Sequence, residues 1–335
     1  MTGSVGLVEG RGEGGGPVVE RLDAFRGELT GYCYRMLGSA FEAEDAVQET
    51  MVRAWRGIGG FEERASLRTW AYRIATNVCL DALAAGKRRA LPMDLSGPTG
   101  GATSPGALID AELLIGPCPG GGGAPSTAGD PAEVAAAGES VRLAFVAALQ
   151  HLPPRQRATL LLRDVLGFSA REVAELHGST VASANSALQR ARTTLAARRA
   201  DGRTGTPAPS GAVERVLAER YAAAFSRFDM DELSMLLHVD ATLSLPPYAS
   251  WMRGIGDITA WLTGPAIGCR GSRLVPVVAN GSPAFGQYRP CADGTGFAPW
   301  ALQVVEVSGD RITGISAFRD TERLFPLFGL PERVA

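Results

Sequence analysis

Three early stretches of the chain place apolar residues at three- and four-residue steps, the period of a helix with one buried stripe. Leu22, Phe25, Leu29, Tyr32, Cys33, Met36 and Leu37 form the first, which Gly38-Ser39 closes. Glu42 to Trp55 carries the second, with apolar residues at Ala46, Val47, Met51, Val52 and Trp55 and an acidic start that suits the helix dipole. The third runs from about Ser66 through Trp70, Tyr72, Ile74, Asn77 and Leu80 to Leu83 and ends in Lys87-Arg88-Arg89.

The same period returns between Leu149 and Arg199. Ser169 and Glu172 have the spacing of a capping box ahead of Val173, Ala174 and Leu176. His177-Gly178-Ser179 then breaks the helix, and a second one follows with Val181, Ala184, Leu188, Ala191 and Leu195 on one stripe. Its opposite face carries Asn185, Ser186, Gln189, Arg190 and Arg192. Between Val181 and Ala200 there are four arginines and no acid, so this helix can lie against phosphates without repulsion. Two readings fit: a helix-turn-helix whose second helix enters the major groove, or an ordinary amphipathic hairpin with a solvated polar face.

After Val213 the pattern changes. Val213 to Phe228 is an amphipathic helix, Asp229 to Leu237 a short one, and then alternation takes over. Strands are predicted over Ala241–Leu245, Leu274–Ala279, Ala284–Arg289, Trp300–Val307 and Arg311–Phe318, with Ser308-Gly-Asp310 as a hairpin turn. Helices followed by a curved antiparallel sheet make an α+β unit. The fold class is therefore multidomain: two all-α units, then an α+β unit.

Gly- and Pro-rich stretches divide the chain. Residues 1–18 read as a disordered terminus, 19–90 as the first helical domain and 91–138 as a flexible linker. Residues 139–200 form the helix-turn-helix domain, 201–211 a second linker and 212–335 the last domain.

Charge has to be read locally, because the formal net charge is only −2. Val213–Ala335 holds 11 Arg against 13 Asp and Glu, so nucleic-acid contact belongs to the earlier part. The five cysteines are scattered with no CxxC, and three histidines are too few to partner them; no metal site, disulfide framework or cofactor is expected. No stretch approaches membrane-spanning length and the N-terminus has no secretory pattern, which predicts a cytoplasmic protein without a membrane partner.

Specific residue runs carry a family resemblance. Asp45-Ala-Val-Gln-Glu49, Arg53-Ala-Trp55, Leu67 to Asn77 and Leu80-Asp81 resemble region 2 of the extracytoplasmic-function (ECF) sigma factors. Leu152-Pro-Pro-Arg-Gln-Arg157, Leu162-Arg-Asp164, Gly167-Phe-Ser169, Glu172-Val-Ala174 and Asn185 to Arg192 resemble region 4. The resemblance implies a protein that binds core RNA polymerase, through the β′ clamp and the β flap, and promoter DNA. It implies that Asp45, Gln48 and Glu49 contact the polymerase. Phe61, Ile74 and Asn77 would hold a base flipped from the −10 element, with Lys87, Arg88 and Arg89 beside promoter phosphates. Asn185, Ser186, Gln189, Arg190 and Arg192 would face −35 DNA. On the residues alone Phe61 also reads as a loop staple, Ile74 as core, Asn77 as a local cap and His177 as a turn residue.

Tyr221-Ala-Ala-Ala-Phe225, Asp240-Ala-Thr242, Pro246-Pro-Tyr248, Trp251 and Arg253-Gly254 resemble the SnoaL-like, NTF2-like fold. That resemblance implies a cone with an apolar pocket, with Tyr248, Trp251, Met252 and Trp261 as lining candidates, a small-molecule ligand, and modulation of the sigma regions. The rival reading is a cyclase or isomerase fused to a DNA-binding module. Such an enzyme needs an acid/base pair, for which His238, Asp240 and Asp257 are the candidates, and none sits in a catalytic motif. The expectation is a sigma factor, not an enzyme.

Overall fold

In the computed structural model, residues 16–58, 66–86, 88–120, 142–200, 211–294 and 296–334 are described. Helices α1 (Gly16–Asp23), α2 (Arg26–Leu37), α3 (Ala40–Gly57) and α4 (Leu67–Ala85) form the first unit. Ser39 and Ser66 start α3 and α4 by accepting the amide N–H three residues on, and Gly38 ends α2 in the left-handed region at φ 76°. The core-facing residues of α3 are Ala43, Ala46, Val47, Thr50 and Ala54. Val52 and Trp55, expected on that stripe, lie exposed; Trp55 keeps 65% of its surface open.

The second helical unit comprises α6 (Leu143–Gln150), α7 (Pro154–Leu160), α8 (Ala170–Leu176) and α9 (Val181–Ala200), following a short α5 (Pro92–Leu95) in the linker. The capping box at Ser169 and Glu172 forms with both of its bonds, at 3.2 and 2.7 Å. Gly178 takes φ 58°, so the turn stands where the sequence placed it, and Thr180 caps α9 by accepting from Ser183 N–H.

Helices α10 (Gly211–Arg227), α11 (Met230–Leu236) and α12 (Ile255–Thr263) then pack on six strands. These are β1 (Leu237–Ser244), β2 (Trp251–Arg253), β3 (Arg273–Ala279), β4 (Ser282–Pro290), β5 (Phe297–Ser308) and β6 (Arg311–Phe318), followed by α13 (Thr321–Leu327). The sheet order is β2-β1-β6-β5-β4-β3. The sheet is mixed, contrary to the antiparallel expectation: β6 comes back beside β1 in the same direction, and all other pairs are antiparallel. Asn280 and Gly281, at φ 55° and 64°, make the β3–β4 hairpin with the backbone twist an Asn-Gly turn favours.

The two helical units share one apolar core. Residues of α2 and α4 cluster with residues of α6 to α9, and the cluster runs on through Ile115 and Cys118 to the outer face of the sheet at Tyr288, Leu302 and Phe318. A separate cluster fills the inner face, under α10 to α12. Arg157 crosses between the helical units fully buried, donating to the carbonyls of Met36, Gln150 and Leu152 and to the Gln150 side chain. Burial, with Arg88 adding like charge, lowers its pKa to about 10.

The linker departs most from expectation. Residues 88–120 are held in place by hydrogen bonds on both sides. Gly116 N–H donates to Gly38 O, and Ala90 N–H to Leu113 O. Residues 96–109 lie along the β1–β2 connection: Thr99 N–H donates to Trp251 O, Ile109 N–H to Pro247 O, and Ala249 N–H to Ala107 O. Glycine and proline, which composition reads as slack, here let a strap hug the surface without side-chain bulk. The rest of the segment read as linker, and residues 1–15 and 201–210, lie outside the described residues.

Candidate nucleic-acid interface

On α9, Asn185, Ser186, Gln189 and Arg190 are all exposed, while Ala184, Leu188 and Ala191 face the core. The four form one polar face, and Arg190 has no ion-pair partner among the described residues. Arg192, grouped with them in the sequence, is engaged otherwise. It grips Asp164 through two bonds of 2.9 and 2.7 Å and so ties α9 to the helical turn Leu161–Val165 that continues α7.

In the first unit Ile74 and Asn77 lie one turn apart on α4, Ile74 half-buried and Asn77 exposed. Arg73 is exposed beside them, a cation the sequence reading passed over. Phe61 and Lys87 lie outside the described residues. Arg89 is corrected: it is buried, donates to Ala111 O and Leu114 O, and pairs with Glu42, so it anchors the linker and offers phosphate nothing.

Arg88 is exposed but leans on His151. Arg88 and Arg198 both donate to His151 Nδ1, each at 2.6 Å. A guanidinium can only donate, so the imidazole is the acceptor in these contacts. Nε2 in turn faces Asp94 Oδ1 at 3.6 Å. His151 and Arg198 of the second unit thus meet one linker carboxylate, and Arg88 of the first joins them through the His151 ring.

On α3, Asp45 and Gln48 are exposed, and Glu49 is half-exposed and bonds Arg53 at 2.7 Å. Asp45, Gln48, Val52 and Trp55 follow a three-four-three spacing, which makes one continuous stripe of acid, amide and exposed apolar surface. Helical phase accounts for the misplacement of Val52 and Trp55: at 100° per residue they rotate onto the Asp45 face.

The inner face of the sheet encloses a cavity of about 270 Å³. Tyr248 and Trp261 line it, as does Pro105 of the strap. Trp251 does not, nor does Met252: the Trp251 indole donates to Ser96 O at 2.9 Å, outside the cavity, and holds the strap. His238, Asp240 and Asp257 are absent from the lining as well. Asp240 faces Arg253 at 3.2 Å on the surface, and Asp257 accepts from Gly101 N–H. Among the described residues no group of three or more His, Cys, Asp or Glu side chains is placed to hold a metal, and no helix is long and apolar enough to cross a membrane.

Comparison with known proteins follows these units. The family model for Sigma-70 region 2 matches residues 22–89, and that for Sigma-70, region 4 matches residues 142–195. The ECF RNA polymerase sigma factor SigG of Mycobacterium tuberculosis is 43% identical over 314 residues, spanning 92% of this chain and 83% of that protein. SigJ of the same organism is 28% identical over 226 residues, 68% of this chain and 64% of its own length. The crystal structure of SigJ superposes with a TM-score of 0.59 at 23% identity, covering 94% of this chain and 100% of that one, so the fold is shared through the C-terminal sheet. With both sigma regions matched in order and a relative alike over nearly its whole length, the chain belongs to the ECF sigma factors of the sigma-70 family, the transcription factors that direct core RNA polymerase to promoters.

Proposed function

We propose that this sigma factor rests in a closed form, held by its C-terminal domain, and that core polymerase opens it onto a promoter. One observation carries the reading: the two sigma regions share a core, with Arg157 sealed between them. Two regions so packed present α4 and α9 on one compact body, whereas −10 and −35 elements lie apart along a duplex. The C-terminal domain braces this packing. Arg142 ahead of α6 pairs with Glu214 of α10 at 3.0 Å, Glu306 of β5 accepts from Ala144 N–H in the first turn of α6, and Arg323 of α13 stacks on Phe41 of α3.

In the open form α9 reads −35 DNA through Asn185, Ser186, Gln189 and Arg190, whose side chains suit base edges and phosphates. Ile74 and Asn77, with Phe61, take a flipped −10 base by apolar contact and an amide, while Lys87, Arg73 and a released Arg88 meet phosphates. The α3 stripe docks on the β′ clamp, Trp55 and Val52 supplying apolar contact and Asp45, Gln48 and Glu49 complementary polarity. The second helical unit meets the β flap.

The test is permanganate footprinting of a promoter selected by the holoenzyme, comparing wild type, Asn77→Ala and Arg142→Ala. Wild type should expose −10 thymines, Asn77→Ala should bind duplex yet open it poorly, and Arg142→Ala should reach full opening at lower polymerase concentration. No opening by wild type overturns the promoter reading, and equal curves for wild type and Arg142→Ala overturn the closed form.

A further inference from the structure

The C-terminal cavity has an uneven wall. Leu233, Leu243, Leu245, Phe225, Ile258 and Trp261 make most of it apolar, and no Asp or Glu among the described residues lines it. Its neutral polar floor is satisfied internally: Tyr221 Oη donates to Gln303 Oε1 at 2.7 Å, Gln303 Nε2 to Gln287 Oε1 at 2.9 Å, and Gln287 Nε2 to Ser272 Oγ at 3.0 Å. Two cations, Arg289 and Arg319, complete the lining.

Their placement is unusual for structural arginines. The Arg289 and Arg319 Cζ atoms lie 3.2 and 3.5 Å from the centroid of the Trp300 ring. Two guanidiniums so close to one centroid would collide on a shared face, so they sandwich the indole. The stack fixes both groups in orientation while leaving their edges free. Each guanidinium carries several N–H donors and no acceptor. Among the described residues Arg289 donates once, to Cys269 Sγ at 2.8 Å, and its buried Nε has no partner, while Arg319 donates once, to Trp300 O at 2.9 Å. Neither meets a carboxylate within ion-pair distance among the described residues. Burial and the neighbouring Arg289 charge lower the Arg319 pKa, the direction expected when two like charges are held together without a counterion. An uncompensated pair of this kind in an apolar cavity is unfavourable unless an anion joins it.

We infer that the cavity is a binding site for a small amphipathic carboxylate, its head held by the edges of Arg289 and Arg319 and its apolar body lying between α10 to α12 and the sheet. Tyr248, which lines the same cavity, adds a hydroxyl near the head. At roughly 30 Å³ per non-hydrogen atom, as for water in the liquid, a 270 Å³ space admits a body of about ten such atoms. Octanoate is therefore a fitting probe. The arginines choose the charge and the leucines and Trp261 choose the tail, which is the division of labour of a selective small-molecule site.

The assay uses the full chain without polymerase or DNA, so its result is independent of the transcription reading. Octanoate, 1-octanol and inorganic phosphate are each titrated into the protein, followed by calorimetry and by tryptophan fluorescence. Octanoate should saturate at one per chain and bind at least about tenfold more tightly than either comparison ligand, as a charge-assisted contact added to apolar burial requires. The double variant Arg289→Gln, Arg319→Gln should bind octanoate and octanol alike. The site is refuted if octanoate shows no saturable binding up to about 10 mM, if octanol binds wild type equally well, or if phosphate alone matches octanoate. Because the comparison of ligands is made on wild type, it stands even where the double variant does not fold.

Discussion

Asn280 Nδ2 donates to Tyr34 Oη at 2.6 Å, joining the tip of the β3–β4 hairpin to α2 of sigma region 2 across 246 residues of chain. The same side chain accepts from Cys118 N–H at 3.0 Å, while the Tyr34 hydroxyl donates to Gly116 O, so three segments meet in one buried polar node. Asn280→Gly keeps the positive φ that the turn requires and removes only the side chain. Each lost buried bond is worth about 1–3 kcal/mol where the partner is left unsatisfied. Both Asn280→Gly and Tyr34→Phe should therefore shift the protein toward extended forms, read as a larger radius of gyration in solution scattering. Unchanged scattering for both would mean that the apolar core alone holds the domains together.

Acid should loosen the helix-turn-helix through His177. Its Nε2 lies 3.2 Å from Thr159 Oγ1, and burial, with the Arg155 charge adding to it, lowers its pKa. A depressed folded value means that the unfolded chain takes up the proton first as pH falls from about 6.5. The stabilisation is complete above that value and is lost as pH falls through the lower folded pKa. Denaturant midpoints should thus drop from pH 7.5 to pH 5.5 in wild type and drop less in His177→Gln; equal slopes would remove His177 from the account.

What could be read from the sequence follows the range of the forces involved. The capping box at Ser169, the positive-φ Gly178 and the exposed face from Asn185 to Arg190 are local, set by residues within a turn or two of one another. The strands were legible for the same reason, except that β2 is three residues long and too short to show alternation. Asn280-Gly281 has the composition of a hairpin turn, yet nothing near it announces that its side chain will meet Tyr34. Arg89 and Arg192 look like phosphate contacts because a charge does not name its partner. Glu42 and Asp164, which claim them, lie 47 and 28 residues away. The strap was misread because a Gly/Pro composition describes the freedom of a chain in isolation and not the sheet surface that takes that freedom away.

That contrast separates two neighbouring arginines. Arg190 is exposed and has no ion-pair partner among the described residues, so Arg190→Ala should cost about 1–3 kcal/mol of −35 affinity if its contact with a base is bidentate. The loss should vanish on DNA mutated at the contacted position. Arg192 is half-exposed and paired with Asp164, so Arg192→Ala should cost at most about 1 kcal/mol of stability and leave base preference unchanged. Competition binding over a set of single-base promoter variants distinguishes the two; a specificity change from Arg192→Ala and none from Arg190→Ala would reverse their assigned roles.

Arg35 offers the sharpest test of how the closed form is balanced. It is 1% exposed, yet none of its three guanidinium nitrogens has a hydrogen-bond partner among the described residues. Burial lowers its pKa, with only the polar groups of Tyr72, Cys118, Tyr34 and Cys33 to offset the desolvation. Its backbone carbonyl accepts from Gln150 of sigma region 4 and Cys118 belongs to the linker, so the closed packing adds to the burial of a charge that Tyr72, Tyr34 and Cys33 of its own region already surround. An unpaired buried cation opposes closure, where an apolar side chain of similar length would favour it. Arg35→Met should therefore raise the denaturant midpoint and deepen the closed state, by about 1–3 kcal/mol, and delay promoter opening at limiting polymerase. A destabilised Arg35→Met protein would show instead that the guanidinium has a partner in solution, and that the charge favours the compact form.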